Sequence, residues 1–164
     1  MSRCVYRYES VIGPLFIADN GDAVTNVEFS AGKIPSGPEE RETPLQREVL
    51  RQITEYLAGK RTQFDLPLAP SGTPFQLMAW NALLTIPYGE TRSYKDMAEA
   101  VGNKGAFRAA GLANNRNPIA IIIPCHRVIG SDGKLVGYGG GLDMKKKLLE
   151  MEYAVRTQGS LLLS

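Results

Sequence analysis

The sequence predicts an α+β protein in which a small antiparallel sheet precedes a mainly helical second part. Three observations carry this expectation. The first thirty residues hold β-rich runs separated by turn residues. Two segments of the form Thr-Pro-x-Gln, at Thr43 and Thr73, each lead into a helical pattern. Beyond Thr73 the chain breaks into short helical stretches punctuated by Gly, Asn and Pro.

The strands are read as Val5-Tyr6-Arg7-Tyr8, Leu15-Phe16-Ile17-Ala18 and Ala23 to Phe29. Gly13-Pro14 and Asp19-Asn20-Gly21-Asp22 turn the chain between them. A loop rich in Gly, Pro and Glu is expected from Ala31 to Arg41. Thr43 then caps a helix whose first position suits Pro44, and Gln46 completes a capping box. Apolar Leu45, Val49, Ile53 and Leu57 recur every four residues, and Gly59 is placed to end the helix. Leu66 to Gly72 reads as a linker, so domains are expected over 1–70 and 71–164.

Thr73-Pro74-Phe75-Gln76 starts a helix that runs through Trp80 to Leu84, and Pro87 stops it. Ser93, with Asp96 three residues later, caps a short helix to Val101. Gly102-Asn103 turns the chain into a second helix from Lys104 to Asn114. Two short helices joined by a Gly-containing turn outline a helix-turn-helix, which is also the outline of any helical hairpin. Ile119-Ala120-Ile121-Ile122-Ile123 reads as a buried strand leading into Pro124-Cys125-His126-Arg127-Val128. A turn at Ser131-Asp132-Gly133 and the run Tyr138-Gly139-Gly140-Gly141 precede a last helix, capped by Asp143 and carrying Glu150 and Glu152.

Composition narrows the function classes. With 164 residues, 43% of them hydrophobic, the chain can bury a real core and is neither disordered nor collagen-like. Its start carries no signal-peptide core and no window suits a membrane span, so a soluble, cytoplasmic protein is expected. Two cysteines and one histidine cannot supply an all-Cys/His structural zinc site or a disulfide framework. Charge divides unevenly along the chain. Residues 1–90 hold 8 basic and 11 acidic side chains, residues 91–164 hold 11 and 6. A polyanionic partner for the second part accounts for this, as does an ordinary solvated surface.

The chemistry concentrates at Cys125. A thiolate is a strong nucleophile when a neighbouring cation stabilises it or a base generates it, and His126 and Arg127 offer both. Adjacent residues do not usually face each other, so a bridging water is the expected proton carrier. Glu150 and Glu152 are the nearest candidates in the last helix to orient the imidazole. Many Cys-His dipeptides are no more than a buried thiol beside a surface imidazole.

Pro124-Cys125-His126-Arg127-Val128 resembles the active-site signature of the O6-alkylguanine-DNA alkyltransferases. Ile86-Pro87-Tyr88-Gly89-Glu90-Thr91-Arg92-Ser93-Tyr94, Arg108-Ala109-Ala110-Gly111, Asn117-Pro118 and Tyr138-Gly139-Gly140-Gly141 match that family in order and spacing. The match is strong from Thr73 to Glu152 and weak before Pro70. It implies a ribonuclease-H-like N-terminal domain and a C-terminal domain with a winged-helix-like helix-turn-helix. It further implies irreversible transfer of an alkyl group from O6-alkylguanine, or O4-alkylthymine, in double-stranded DNA to Cys125, once per molecule.

In that resemblance His126 is the base, through water, and Glu152 holds its other ring nitrogen. Tyr94 protonates the departing guanine, and Asn117 braces the turn before the active-site segment. Tyr94, Lys95, Asn103, Arg108 and Ser131 match DNA-contacting positions, with the second helix in the minor groove and Arg108 filling the gap left by the extruded base. Without the family, Arg108 would read as a surface partner on its helix. Tyr138 and Gly139 would line the base pocket, or simply form a turn before the last helix. No cofactor and no metal are expected, because the N-terminal zinc ligands of some relatives are missing apart from Cys4. The expected state is a monomer, with clustering along DNA left open. Lys145-Lys146-Lys147 reads as a solvated face, although Lys145 falls where the family has a lysine near its site.

Three rivals remain at this level. A lesion-binding relative would lack the acceptor cysteine, and Cys125 is present. A DNA-binding regulator switched by alkylation would need a further domain. A Cys-His-Glu hydrolase would turn over repeatedly.

Overall fold

In the computed structural model, which describes residues 3–158, the three alternating runs become β1 (Cys4–Ser10), β2 (Gly13–Asp19) and β3 (Val24–Glu28). β1 and β2 form an antiparallel hairpin from Cys4↔Asp19 to Ser10↔Gly13. β3 adds to β2 with a register shift at Ala18/Asp19. The expected loop holds a fourth strand, β4 (Glu39–Glu40), parallel to β1, giving the order β3-β2-β1-β4. Only backbone bonds define β4 (Glu39 N–H to Arg3, Arg41 N–H to Val5), so no side-chain alternation marks it.

Helix α1 (Pro44–Leu57) starts where the capping box places it. Gln46 N–H donates to Thr43 Oγ1 at 3.1 Å, and Thr43 N–H donates to Gln46 Oε1 at 2.9 Å. Such a cap contributes about 1 kcal/mol. The buried stripe is Gln46, Val49, Gln52, Ile53 and Tyr56, whereas Leu45 and Leu57 are only half-buried. Gln52 lies inside because its amide bonds both the carbonyl and the N–H of Asp65, securing the segment after the helix.

The first unit runs to Ser71 and also takes in Pro118–Ile122. The expected strand over 119–123 is absent. Val27 bonds Pro118 and Ala120, making one isolated parallel bridge to Ile119. The ladder stops there because Ile121 has φ +71°, a left-handed value that a β-branched residue rarely adopts. Ile119 to Ile123 are nonetheless all buried. The apolar run reports burial rather than strand pairing.

The second unit comprises Gly72–Asn117 and the chain from Ile123 onward. Helices α2 (Pro74–Leu83) and α3 (Tyr94–Ala100) both begin with complete capping boxes, at Thr73/Gln76 and Ser93/Asp96. Gly102 (φ +81°) reverses the chain after α3, a conformation open to glycine at little cost. The second helix of the hairpin differs from expectation at its start: Lys104–Ala106 is a 3-10 turn, and α4 proper spans Phe107–Asn115. Asn103 causes this by accepting from Gly105 N–H at 3.0 Å. Trp80 Nε1 donates to the Ala113 carbonyl at 2.8 Å, pinning α2 to α4.

Two short strands, β5 (Arg92–Ser93) and β6 (Val128–Ile129), pair in parallel beside the helices. Helix α5 (Leu142–Gln158) closes the described chain. Asp143 lies within its first turn rather than at its cap, where its charge still complements the helix dipole.

Candidate active site

After Pro124 the chain forms a 3-10 turn, Cys125–Arg127, that buries three functional side chains in succession. Cys125 is 6% exposed, His126 0% and Arg127 7%. Two asparagines hold this turn from behind. Asn117 Nδ2 donates to the Ile123 carbonyl at 2.8 Å, and Asn114 Nδ2 donates to the Cys125 carbonyl at 3.3 Å. Asn117 thus bonds the residue two before Cys125, and Asn114 is a second contact to this turn.

A buried imidazole needs partners, and α5 supplies them. Glu152, itself 1% exposed, places Oε2 2.7 Å from His126 Nε2. Arg127 embraces the same carboxylate, Nε to Oε1 at 2.8 Å and Nη2 to Oε2 at 3.1 Å. Its Nη1 donates to the Ile86 carbonyl at 2.8 Å, and the guanidinium lies over the Tyr88 ring. A fourth donor to Glu152 is the backbone N–H of Gly89, at 3.1 Å from Oε1. Bidentate pairing with Arg is the geometry that makes a buried carboxylate tolerable. Glu150, the other candidate, is exposed and lies 4.0 Å from Lys146.

Protonation follows from this geometry. Burial opposes ionisation of Glu152, but the bonds from His126 and Arg127 outweigh it and lower the carboxyl to about 2. Burial pushes His126 below its ordinary value, against the pull of Glu152. The resting site is therefore an ionised Glu152 beside a neutral imidazole. A carboxylate only accepts, so Nε2 carries the proton and Nδ1 is the basic nitrogen. Arg127, read from sequence as a cation beside the thiol, instead serves Glu152.

Lys145 overturns the solvated-face reading of its run. It is fully buried, and Nζ donates to the Val136 carbonyl at 2.7 Å. Burial lowers its pKa, and the nearby Cys125 raises it. The first turn of α5 faces inward at this position, which a run of three lysines conceals. Lys146 and Lys147 are exposed.

Tyr94 is half-buried, and its hydroxyl donates to the Val136 carbonyl at 3.1 Å. Burial, and the neighbouring Cys125 after it, raise its pKa, so it is protonated at neutral pH. Tyr138 stands edge-on to His126 with ring centroids 6.4 Å apart, and its hydroxyl is buried. Gly139 is exposed beside it. Lys95 on α3, Asn103 in the turn, Arg108 on α4 and Ser131 just after β6 all reach solvent. The exposed face of α4 also carries Phe107 and Leu112, which helical periodicity alone did not distinguish from core positions. No cluster of metal-binding side chains occurs among the described residues.

A buried cysteine, a buried histidine–glutamate pair and a helical hairpin thus lie on one unit, an arrangement suited to nucleophilic chemistry at the thiol. Residues 5–70 match the 6-O-methylguanine DNA methyltransferase ribonuclease-like domain, and residues 74–154 match the DNA binding domain of the same family. The chain belongs to the 6-O-methylguanine DNA methyltransferase family. It is 55% identical over 148 residues to the methylated-DNA–protein-cysteine methyltransferase of Methanosarcina barkeri, covering 88% of this chain and 93% of that protein. The enzyme of the same name from Mycobacterium leprae is 51% identical over 149 residues, covering 88% of each. The crystal structure of Mycobacterium tuberculosis OGT in complex with DNA superposes with a TM-score of 0.84 at 47% identity, covering 92% of this chain and 93% of that one.

Proposed function

We propose that this protein repairs O6-alkylguanine in double-stranded DNA by moving the alkyl group onto Cys125, once per molecule. The observation that carries the reading is the buried His126–Glu152 pair at 2.7 Å, whose histidine shares a turn with Cys125, a cysteine engaged in no disulfide. His126 Nδ1 takes the thiol proton through water. The sulfur attacks the alkyl carbon, the S–C bond forms as the C–O6 bond breaks, and the electron pair passes into the purine. Tyr94 gives its proton to guanine N3, which turns a poor leaving group into neutral guanine. The product is a thioether with no leaving group, so the protein is consumed.

A base stacked in a duplex cannot present its O6 substituent to a thiol 6% exposed, so the nucleotide is extruded first. Exposed Arg108 on α4 fills the vacated stack from the minor groove, while Lys95, Asn103 and Ser131 engage backbone. Tyr138 and Gly139 line the pocket for the extruded base. O4-alkylthymine is the second substrate. The division of labour follows residues 1–70 and 71–164, with the chemistry in the latter. The protein acts as a monomer in the cytoplasm, where reducing conditions keep a thiol acceptor free. Among the described residues no helix is long and apolar enough to cross a membrane.

Intact-mass measurement after incubation with duplex DNA containing O6-methylguanine tests this. The expected result is a gain of one methyl per chain, mapped to Cys125 and absent in Cys125→Ser, which still binds the duplex. Tight lesion-selective binding with no mass gain would replace transfer by lesion sensing. Repeated turnover on an ester would favour a hydrolase.

A further inference from the structure

The His126–Glu152 pair has an outer support that its proposed chemistry leaves unused. Gly89 donates its N–H to Glu152 Oε1, and the carbonyl of the same residue accepts from Arg156 Nη1 at 3.1 Å. Glu152 and Arg156 are four residues apart on α5, hence on one face of the helix. One residue of the turn after Pro87 is therefore held at both its polar groups by successive turns of α5.

The fit is close as well as polar. Gly89 has φ +80°, and a Cβ built on it would lie 2.6 Å from Arg156 Cδ and 2.9 Å from its Cβ. The arginine stem packs directly on the glycine backbone. Gly89, Thr91, Leu149, Glu152, Tyr153 and Arg156 are among the residues lining a cleft at this turn. Water in that cleft would compete for the Gly89 carbonyl if the guanidinium were absent, and the turn would be free to draw its N–H away from Glu152.

We propose that Arg156 is a positioning residue: it clamps the Gly89 peptide against α5 so that the Gly89 N–H fixes the Glu152 carboxylate that orients His126. This inference rests on the alkyl-transfer reading. Arg156 is exposed and touches no reacting group, so its action runs through Gly89 and Glu152.

The test uses the full-length Arg156→Ala and Arg156→Lys variants. Three quantities are measured: the single-turnover rate of methyl transfer at saturating duplex, affinity for unmodified duplex, and the ring 15N and N–H resonances of His126. The last is clean because His126 is the sole histidine of the chain. Losing one hydrogen bond and its packing should slow transfer roughly three- to tenfold in Arg156→Ala. The His126 Nε2 resonance should shift, duplex affinity should stay within about twofold, and Arg156→Lys should recover most of the rate.

A changed rate with an unmoved His126 resonance would refute action through Glu152. Parallel loss of rate and affinity would make Arg156 a DNA contact instead. Rate and resonance both unchanged would remove the clamp altogether. Failure of the wild-type protein to gain a methyl on Cys125 would overturn the transfer reading separately, while the resonance would still report whether the clamp exists.

Discussion

Glu152 Oε2 lies 2.7 Å from His126 Nε2, and the two side chains are 1% and 0% exposed. Neither is tolerable in isolation: an unpaired carboxylate in such surroundings would be neutralised, and a lone imidazole would lack orientation. Arg127 settles the charge by pairing Glu152 through two nitrogens, which leaves the carboxylate to hold His126 in a single tautomer. The histidine proposed as the base is thus held by a structural ion pair.

Glu152→Gln should reveal both functions of that carboxylate. The amide keeps the shape but leaves the Arg127 guanidinium buried without its counter-charge. Breaking a buried pair from one side costs about 3–5 kcal/mol, so a marked drop in melting temperature is expected. Methyl transfer at a temperature where the variant is folded should slow by about two orders of magnitude, the usual contribution of a positioned base. A variant as stable and as fast as the wild type would remove Glu152 from both roles.

Acidification should destabilise the protein well before the bulk of its carboxylates titrate. Glu152 is lowered from 4.5 to about 2, so in the unfolded chain it takes up a proton at a higher pH than in the folded one. Its stabilisation is complete above the unfolded value and is lost as pH falls from 4.5 towards 2. His126 is also lowered from 6.5, so below that pH the unfolded chain binds a proton that the folded site resists. Both contributions have the same sign. Melting temperature should fall from near pH 6.5 downward, with the steepest loss below 4.5. In Glu152→Gln the lower part of that slope should flatten.

Much of this site was legible because its parts carry local signals. The three capping boxes at Thr43, Thr73 and Ser93 set helix starts through contacts within four residues, so sequence spacing suffices. The turn bearing Cys125, His126 and Arg127 was marked by residue type, and the partner Glu152 by its spacing in a resembling family. Long-range choices were not legible. Arg127 could have served the thiol or a carboxylate, and only the packing of α5 selects Glu152. Lys145 is disguised by its lysine neighbours, since one inward position in a charged run has no periodic signature. Ile119 to Ile123 looks like a strand because burial and β-branching are shared by strands and buried turns, while the left-handed Ile121 that breaks the ladder is invisible in composition.

Asn117→Ala tests whether the turn before Cys125 needs its brace. The Ile123 carbonyl accepts from Asn117 Nδ2 and from the Cys125 N–H, both at 2.8 Å, so it retains one partner in the variant. The expected loss is about 1–2 kcal/mol by denaturant titration, less than for a carbonyl left bare. Transfer should slow more than stability alone predicts, because Cys125 is the next residue but one. Unaltered kinetics in a destabilised variant would confine Asn117 to a folding role.

Arg108→Ala and Tyr94→Phe should separate extrusion from chemistry. Arg108 is exposed on α4, and the role proposed for it runs through duplex DNA. Removing it should slow transfer from a duplex, because the cost of unstacking, a few kcal/mol, is no longer offset by an inserted side chain. The free base O6-benzylguanine needs no extrusion, and its rate should change by less than about twofold, within the range of a typical surface substitution. Tyr94 stays protonated at neutral pH, and the role proposed for it is on the leaving purine, so Tyr94→Phe should slow duplex and free base alike. Comparing the two substrates in each variant gives two ratios. A duplex-to-free-base rate ratio that falls in Arg108→Ala and holds in Tyr94→Phe supports the assignment. Equal loss on both substrates in Arg108→Ala would show that Arg108 does not assist extrusion, and an undiminished rate in Tyr94→Phe would show that the purine leaves without its proton.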